Sequence, residues 1–189
     1  MLRLILLMPV LVVFVPLLLV ALGVLLVVAG SPGKCGGGRD LTFDPQLALD
    51  YEQRWLELNA QLASGRPASF TVSDSEATSQ SRLFLAETGA PIRDVRVCFV
   101  NGAADANGTI SPPIGPDIAV RVKGSVDFSG PHPRAHIDSI RIGGLPGFIA
   151  RPFLGPMGRL IDDQADQIVL GHRIDVELAD GQAVISGRP

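Results

Sequence analysis

The chain has 189 residues, a formal net charge of −3 and an isoelectric point near 5.5. That length accommodates one domain and a membrane anchor, and the scattered basic residues do not form the cluster that nucleic-acid-binding proteins use. The chain has two cysteines, Cys35 and Cys98, which are too few for a disulfide framework. One disulfide between them in an oxidising compartment and two free thiols both remain open from the sequence.

The amino-terminal segment predicts a transmembrane helix. The run from Leu4 to Gly30 contains no charged residue, and at about 1.5 Å rise per residue it exceeds the roughly 30 Å hydrocarbon core of a bilayer. It is also longer than the apolar region of a cleaved signal peptide, which spans about 7–15 residues. We therefore predict a single-pass signal anchor over residues 1–30 in the cell membrane. Basic residues flank both of its ends, and we expect the domain on the extracytoplasmic side.

A flexible tether over residues 31–42, rich in Gly and Ser, is predicted to connect the anchor to a single domain over residues 43–189. Asp44 and Pro45 are typical of a helix start, as N-cap and first-turn residue, and Gly65 is typical of a helix end. In the helix predicted over 43–64, five large apolar residues fall on one face: Leu47, Tyr51, Trp55, Leu58 and Leu62. We interpret Trp55 as a packing residue between helix and sheet.

A second helix is predicted from the pair Ser73 and Glu76, which has the spacing of a capping box. The helix is expected to run to about Glu87, before Gly89 and Pro91. Its predicted core contacts are Ala77, Leu83 and Phe84.

The rest of the chain alternates between apolar and polar residues with the period of β-strands. Hairpin turns are predicted at Asn101-Gly102 and Asp180-Gly181, and a phase shift near Asp138-Ser139 predicts a β-bulge. The sequence thus predicts an α+β fold, in which helices pack on the apolar face of an antiparallel sheet. Strands are predicted at residues 69–72, 95–99, 103–110, 118–128, 134–142, 174–178 and 183–187.

One long helix is predicted between the strand over 134–142 and the final hairpin. Its apolar residues recur every three or four positions: Ile149, Phe153, Met157, Leu160, Ile161, Ala165 and Ile168. The segment before and within its first turns is more apolar than connecting segments usually are. We name this segment the apolar lip and define it as Leu145, Phe148, Ile149, Phe153 and Leu154.

No pattern of catalytic or metal-binding residues is present in the sequence. His132 and His136 are four residues apart on a predicted strand, which separates them by about 13 Å and prevents them from sharing a metal ion. The acidic residues Asp162, Asp163 and Asp166 are expected to form a solvated helix face rather than a calcium site. We therefore predict a non-catalytic protein with no metal or cofactor.

The excess of apolar residues predicts a binding site for a membrane lipid or another ligand with an acyl chain, whose burial is favourable by about 0.8 kcal/mol per methylene. Two alternatives remain open: the same residues pack on one another and leave no cavity, or the apolar lip is an interface in a structural or protein-interaction module. The sequence identifies no protein partner. The residues predicted to bind lipid are Ile118, Val120, Val122, Val126, Phe128, Leu145, Phe148, Ile149, Phe153, Leu154, Met157 and Ile161.

The order of motifs over residues 68–189 resembles that of a known family. FTVSDSEATS, PIRDVRVCFVNG, RAHIDSIRIGGLPGF and HRIDVELADGQAVISGRP follow one another as in the bacterial envelope proteins of the lipomannan-elongation (LmeA-type) phospholipid-binding family. That family is related to the tubular lipid-binding superfamily that includes bactericidal/permeability-increasing protein. The resemblance implies a strongly curved sheet around a long helix, an extracytoplasmic location, and a bound lipid rather than a reaction.

Overall fold

The computed structural model describes residues 33–34, 38–113, 115–128, 130, 132–145 and 171–189. The predicted α+β class and the antiparallel pairing are confirmed. The predicted anchor over 1–30 and the long helix predicted beyond Leu145 lie outside the described residues. No helix within the described ranges combines the length and the apolar character needed to cross a bilayer. The elements are α1 (Pro45–Ala63), β1 (Ala68–Ser73), α2 (Asp74–Glu87), β2 (Ile92–Val100), β3 (Ala103–Ile110), β4 (Ile118–Asp127), β5 (Arg134–Ile142), β6 (Arg173–Ala179) and β7 (Gln182–Arg188).

The described strands form two antiparallel sheets, whereas the sequence predicted one. The three-stranded sheet has the order β1-β7-β6, and the four-stranded sheet is a meander with the order β2-β3-β4-β5. The first strand pairs with the last, from Ala68 opposite Gly187 to Ser73 opposite Gln182. Alternation in the sequence identifies a strand and its buried face but not its partner, which explains the difference.

Both helices start where their capping residues predict. The Asp44 side chain accepts a hydrogen bond from the Gln46 amide at 2.9 Å, and α1 is followed by Gly65 with φ of +76°. At the start of α2, Ser73 and Glu76 form both hydrogen bonds of a capping box. Helix α1 (Pro45–Ala63) lies within the predicted range 43–64, and α2 ends at Glu87 as predicted.

The core lies between α1 and the inner face of the three-stranded sheet. A Cβ atom built at Gly187 would lie 2.5 Å from Leu62 Cδ1, so the glycine makes room for the leucine side chain. The Trp55 and Tyr51 rings meet Phe70 edge-on, with centroids 6.3 and 5.9 Å away, which confirms Trp55 as a packing residue. The buried cluster consists of Leu58, Leu62, Val72, Phe99, Ile174, Ala183 and Ile185.

Helix α2 lies along the outer edge of β2 and hydrogen-bonds its backbone. The Asp74 carboxylate accepts from the Phe99 amide at 2.7 Å. The Thr78 hydroxyl accepts from the Val97 amide at 2.9 Å and donates to its carbonyl at 3.2 Å, and Arg82 Nε donates to the Val95 carbonyl at 2.7 Å. Four helical residues rise about 6 Å and two strand residues about 6.6 Å. The spacing of every fourth residue along α2 therefore matches the spacing of every second residue along β2.

This arrangement makes the prediction for Phe84 wrong. Phe84 was expected in the core, but it is 59% exposed. The buried residues of α2 are instead the polar Asp74, Thr78 and Ser79. Asp74 and Thr78 bond the backbone edge of β2, and the Ser79 hydroxyl accepts from the Asp44 amide. Apolar periodicity alone does not reveal a helix face that is buried for hydrogen bonding.

The four-stranded sheet contains the predicted bulge. Lys123 stands opposite Ser139 and Gly124 opposite Ile137, so Asp138 is the extra residue on β5. A Cβ atom on Gly124 would lie 2.3 Å from the His136 carbonyl oxygen, which shows why glycine occupies that position. The predicted hairpin turns at Asn101-Gly102 and Asp180-Gly181 are also confirmed.

Candidate functional site

An apolar cavity of about 240 Å³ lies where the two sheets and the two helices meet. The three-stranded sheet contributes side chains from all its strands, and the four-stranded sheet contributes β2, β3, β4 and the residue after β4. The lining residues are Tyr51, Val72, Ala77, Gln80, Ser81, Phe99, Ala104, Val126, Phe128, Val176, Leu178, Ala183 and Ile185.

The cavity continues into an apolar face of the four-stranded sheet. Directly opposite residues of neighbouring strands share a face, and the register therefore places the side chains beyond the cavity on the same face as Phe99, Ala104 and Val126. These side chains are Val97, Ala106, Ile110, Ile118, Val120, Val122, Ile140 and Ile142. The cavity is thus one end of a longer apolar surface.

Two of the predicted lipid-binding residues, Val126 and Phe128, line the cavity together. Three more lie on the same face of β4 but farther along it, up to about 26 Å from Val126 at roughly 3.3 Å per residue: Ile118, Val120 and Val122. Leu145 is half-buried and does not line the cavity. Six predictions lie outside the described residues, namely Phe148, Ile149, Phe153, Leu154, Met157 and Ile161.

The lining residues that come from α1, α2 and the three-stranded sheet are not predicted by the sequence. Tyr51 was assigned to the apolar stripe of its helix, and Val176 and Leu178 to a strand, but nothing local connects them to β4. Only the pairing of β1 with β7 brings these elements to one place. Nothing in the sequence indicates that Ser81 and Gln80 line a cavity, since polar residues on a helix are usually solvated.

Exposed apolar side chains flank the cavity. Val126 lines it and is 44% exposed. Phe84 follows the lining residues Gln80 and Ser81 by four and three positions on α2, so it lies on the same helix face one turn farther. A large apolar residue that remains exposed beside an apolar cavity extends the surface available to a ligand.

Two polar groups face this apolar environment. Burial raises the pKa of the Tyr51 phenol above its ordinary value of 10.0, and the charge of Arg54 offsets part of that change. Tyr51 is therefore neutral at physiological pH. The Gln80 amide nitrogen donates to Glu52 at 3.2 Å, while its buried oxygen has no hydrogen-bond partner among the described residues. These groups give the cavity a small number of polar contacts, as ligand sites have.

A second concavity, of about 130 Å³, lies on the opposite face of the four-stranded sheet. We name it the basic pocket. The Arg121 guanidinium donates two hydrogen bonds to the Asp105 carboxylate, one from Nε at 2.8 Å and one from Nη2. This bonding raises the pKa of Arg121. Arg121 therefore stays charged. The lining residues are Asp105, Arg121, Lys123, Ser139 and Arg141.

The chain that precedes α1 is bound to the domain. Arg39 Nε lies 3.1 Å from Asp74, and its Nη2 donates to the Phe99 carbonyl at 2.8 Å. The amide of Thr42, at the end of the predicted tether, donates to Ser75 Oγ at 3.2 Å. Cys98 is fully buried and disulfide-bonded.

The chain's only other cysteine is Cys35, which lies outside the described residues. Within the part of the chain that the structure describes, no three His, Cys, Asp or Glu side chains are placed to hold a metal ion. In comparisons with known proteins, no family model matches the chain, and no curated protein is significantly similar to it.

Proposed function

We propose that this protein is a membrane-anchored, extracytoplasmic lipid-binding protein that is not an enzyme, and that an acyl chain occupies the apolar cavity. The observation that carries the proposal is the cavity of about 240 Å³ lined by Val126, Phe128 and apolar side chains of five other strands. Engineered apolar voids of about 150 Å³ already bind benzene. The cavity therefore has room for a short apolar group such as the end of an acyl chain.

The apolar face of the four-stranded sheet supports a ligand longer than the cavity. Val122, Val120 and Ile118 succeed Val126 on the same side of β4. An acyl chain whose end fills the cavity would continue along them and bury about 0.8 kcal/mol for each further methylene. The strongly curved sheet and long helix implied by the family resemblance belong to this proposal, since they would enclose such a chain.

The disulfide at Cys98 supports the extracytoplasmic location. Structural disulfides form and persist in oxidising compartments and are rare in the cytosol. A domain that carries one is therefore expected on the outer side of the membrane that holds the predicted anchor.

A substitution that fills the cavity tests the proposal. Ala77 lines the cavity from α2, and we expect Ala77→Phe to displace at least about two methylenes of ligand, which weakens binding about 15-fold. The full chain is purified in a mild detergent, and its bound lipid is quantified by native mass spectrometry. Ala86→Phe is the matched control, because Ala86 is an exposed residue of the same helix.

We expect lipid in the wild-type protein and in Ala86→Phe, and little in Ala77→Phe. A wild-type protein without lipid would contradict the proposal. Equal lipid content in the two variants would show that any lipid is bound away from the cavity.

A further inference from the structure

We propose that the basic pocket binds the phosphate group of anionic phospholipids at the surface of the membrane that holds the anchor. The inference rests on one part of the proposed function, the membrane anchor. It does not depend on the acyl-chain cavity. It concerns the face of the four-stranded sheet that the cavity does not use.

The charge of the pocket favours an anion. Among the described residues that line it, three are cations and Asp105 is the one carboxylate, which leaves an excess of two positive charges in this set. The register places Arg121 directly opposite Arg141, and like charges in such a cross-strand pair repel each other. A phosphate between them would relieve that repulsion.

One donor of the pocket, the Arg121 guanidinium, is held in position before any ligand binds. The Asp105 side chain is only 5% exposed, and it fixes the Arg121 guanidinium from beneath. Ser139 stands opposite Lys123 across the strand pair and adds a hydroxyl donor. Guanidinium, ammonium and hydroxyl groups are the donors that bind phosphate oxygens in proteins. A volume of about 130 Å³ corresponds to about four water molecules and accommodates a tetrahedral oxyanion.

The position of the amino-terminal segment favours a phospholipid over free phosphate. A Cβ atom on Gly33 would lie 3.6 Å from Arg121 Nη1, so the chain passes beside the pocket. The predicted anchor ends at Gly30, and three residues of fully extended chain span at most about 11 Å. Gly33 therefore lies within about 11 Å of the end of the anchor. The polar layer on each side of a bilayer is about 5–8 Å thick. The anchor therefore holds Arg121, with Lys123 and Arg141 beside it, close to the headgroups.

A second opposed pair of arginines, Arg173 and Arg188, provides the matched control. They face each other on β6 and β7, and both are exposed. Removing this pair changes the net charge of the protein as much as removing Lys123 and Arg141, but it leaves the basic pocket intact.

The test uses the full chain in micelles of a neutral detergent at 150 mM salt. It is titrated separately with dihexanoyl-phosphatidylglycerol, dihexanoyl-phosphatidylcholine and inorganic phosphate, and binding is followed by isothermal titration calorimetry. We expect Lys123→Gln/Arg141→Gln to weaken phosphatidylglycerol binding about 30-fold, which is about 2 kcal/mol, because two cations beside the anionic headgroup are lost. Arg173→Gln/Arg188→Gln is expected to bind like the wild type, and so is the charge-preserving Lys123→Arg/Arg141→Lys.

Two results would overturn the inference: equal weakening by both charge-removing pairs, or inorganic phosphate binding as tightly as phosphatidylglycerol, which would assign the pocket to a free anion. Repeating the titration in Ala77→Phe separates this inference from the proposed function. A variant that has lost its co-purifying lipid is still expected to prefer phosphatidylglycerol over phosphatidylcholine, and loss of that preference would contradict the role of the basic pocket.

Discussion

Thr78 shows how a single hydroxyl group serves a buried backbone. The residue is 1% exposed, and its hydroxyl satisfies both the amide and the carbonyl of Val97. We expect Thr78→Val, which keeps the shape but removes the hydroxyl, to lower the free energy of unfolding by about 1–3 kcal/mol, because the Val97 groups lose their partner. Urea denaturation measures this change.

Thr78→Ser is the control for that experiment. It retains the hydroxyl and is expected to lose less stability than Thr78→Val, even though it removes a buried methyl group. If serine destabilised the protein as much as valine, packing rather than hydrogen bonding would explain the role of Thr78.

Residues at this scale were predictable where their role is local. The caps at Asp44 and Ser73 depend on neighbours two or three positions away, and the sequence contains all of that information. Phe84 was mispredicted because its environment depends on β2, which helix α2 meets through polar side chains. The hydrophobicity of a single residue does not indicate which face of its helix packs against a neighbouring strand.

At the scale of elements, the bulge on β5 depends on Gly124 of β4. A Cβ atom there would overlap the His136 carbonyl oxygen at 2.3 Å, and backbone atoms yield less readily than a flexible side chain. We expect Gly124→Ala to lower the free energy of unfolding by about 1–3 kcal/mol, as overpacking does. Gly171→Ala is the control, since no described residue lies within 4 Å of its Cβ position.

Chemical denaturation of the two alanine variants provides the comparison. Gly171→Ala is expected to stay close to the wild type. A Gly124→Ala protein of unchanged stability would mean that β4 and β5 tolerate a side chain at the bulge, contrary to the close approach of their backbones.

The elements themselves were largely predictable, and their assembly was not. Turns such as Asn101-Gly102 and the phase shift at Asp138 are encoded within a few residues, so the meander and its bulge followed from the sequence. The pairing of Ala68–Ser73 with Gln182–Arg188 joins the two ends of the domain. Alternation is equally consistent with other partners, and one sheet was predicted where two exist.

For the whole molecule, the disulfide at Cys98 links the buried surface of β2 to another part of the chain. Disulfides of this kind contribute typically about 2–4 kcal/mol to stability. We expect dithiothreitol to lower the urea midpoint of the wild-type protein by a corresponding amount and to have no effect on Cys98→Ala. Titration of free thiols provides an independent measurement. Two reactive thiols in the denatured, unreduced protein would contradict the disulfide.

The candidate site was predictable only in part, for a reason that applies to the whole fold. Val126 and Phe128 were identified because they belong to one alternating strand, and both line the cavity. Tyr51, Ala77 and Leu178 come from three other elements that meet there through pairing distant in sequence. The basic pocket was also missed, since Lys123 and Arg141 resemble ordinary solvated residues until the register places Arg141 opposite Arg121 and diagonal to Lys123.

The row of Asp74, Thr78 and Arg82 along β2 has a consequence for how copies of this chain can associate. An uncovered outer strand is a template on which a second molecule can add its own strand, as in domain swapping and fibril growth. Here the amides and carbonyls that such a strand would use are already bonded to a helix. Intermolecular β-sheet extension is therefore blocked on this side, and any self-assembly by strand addition has to start at a different strand.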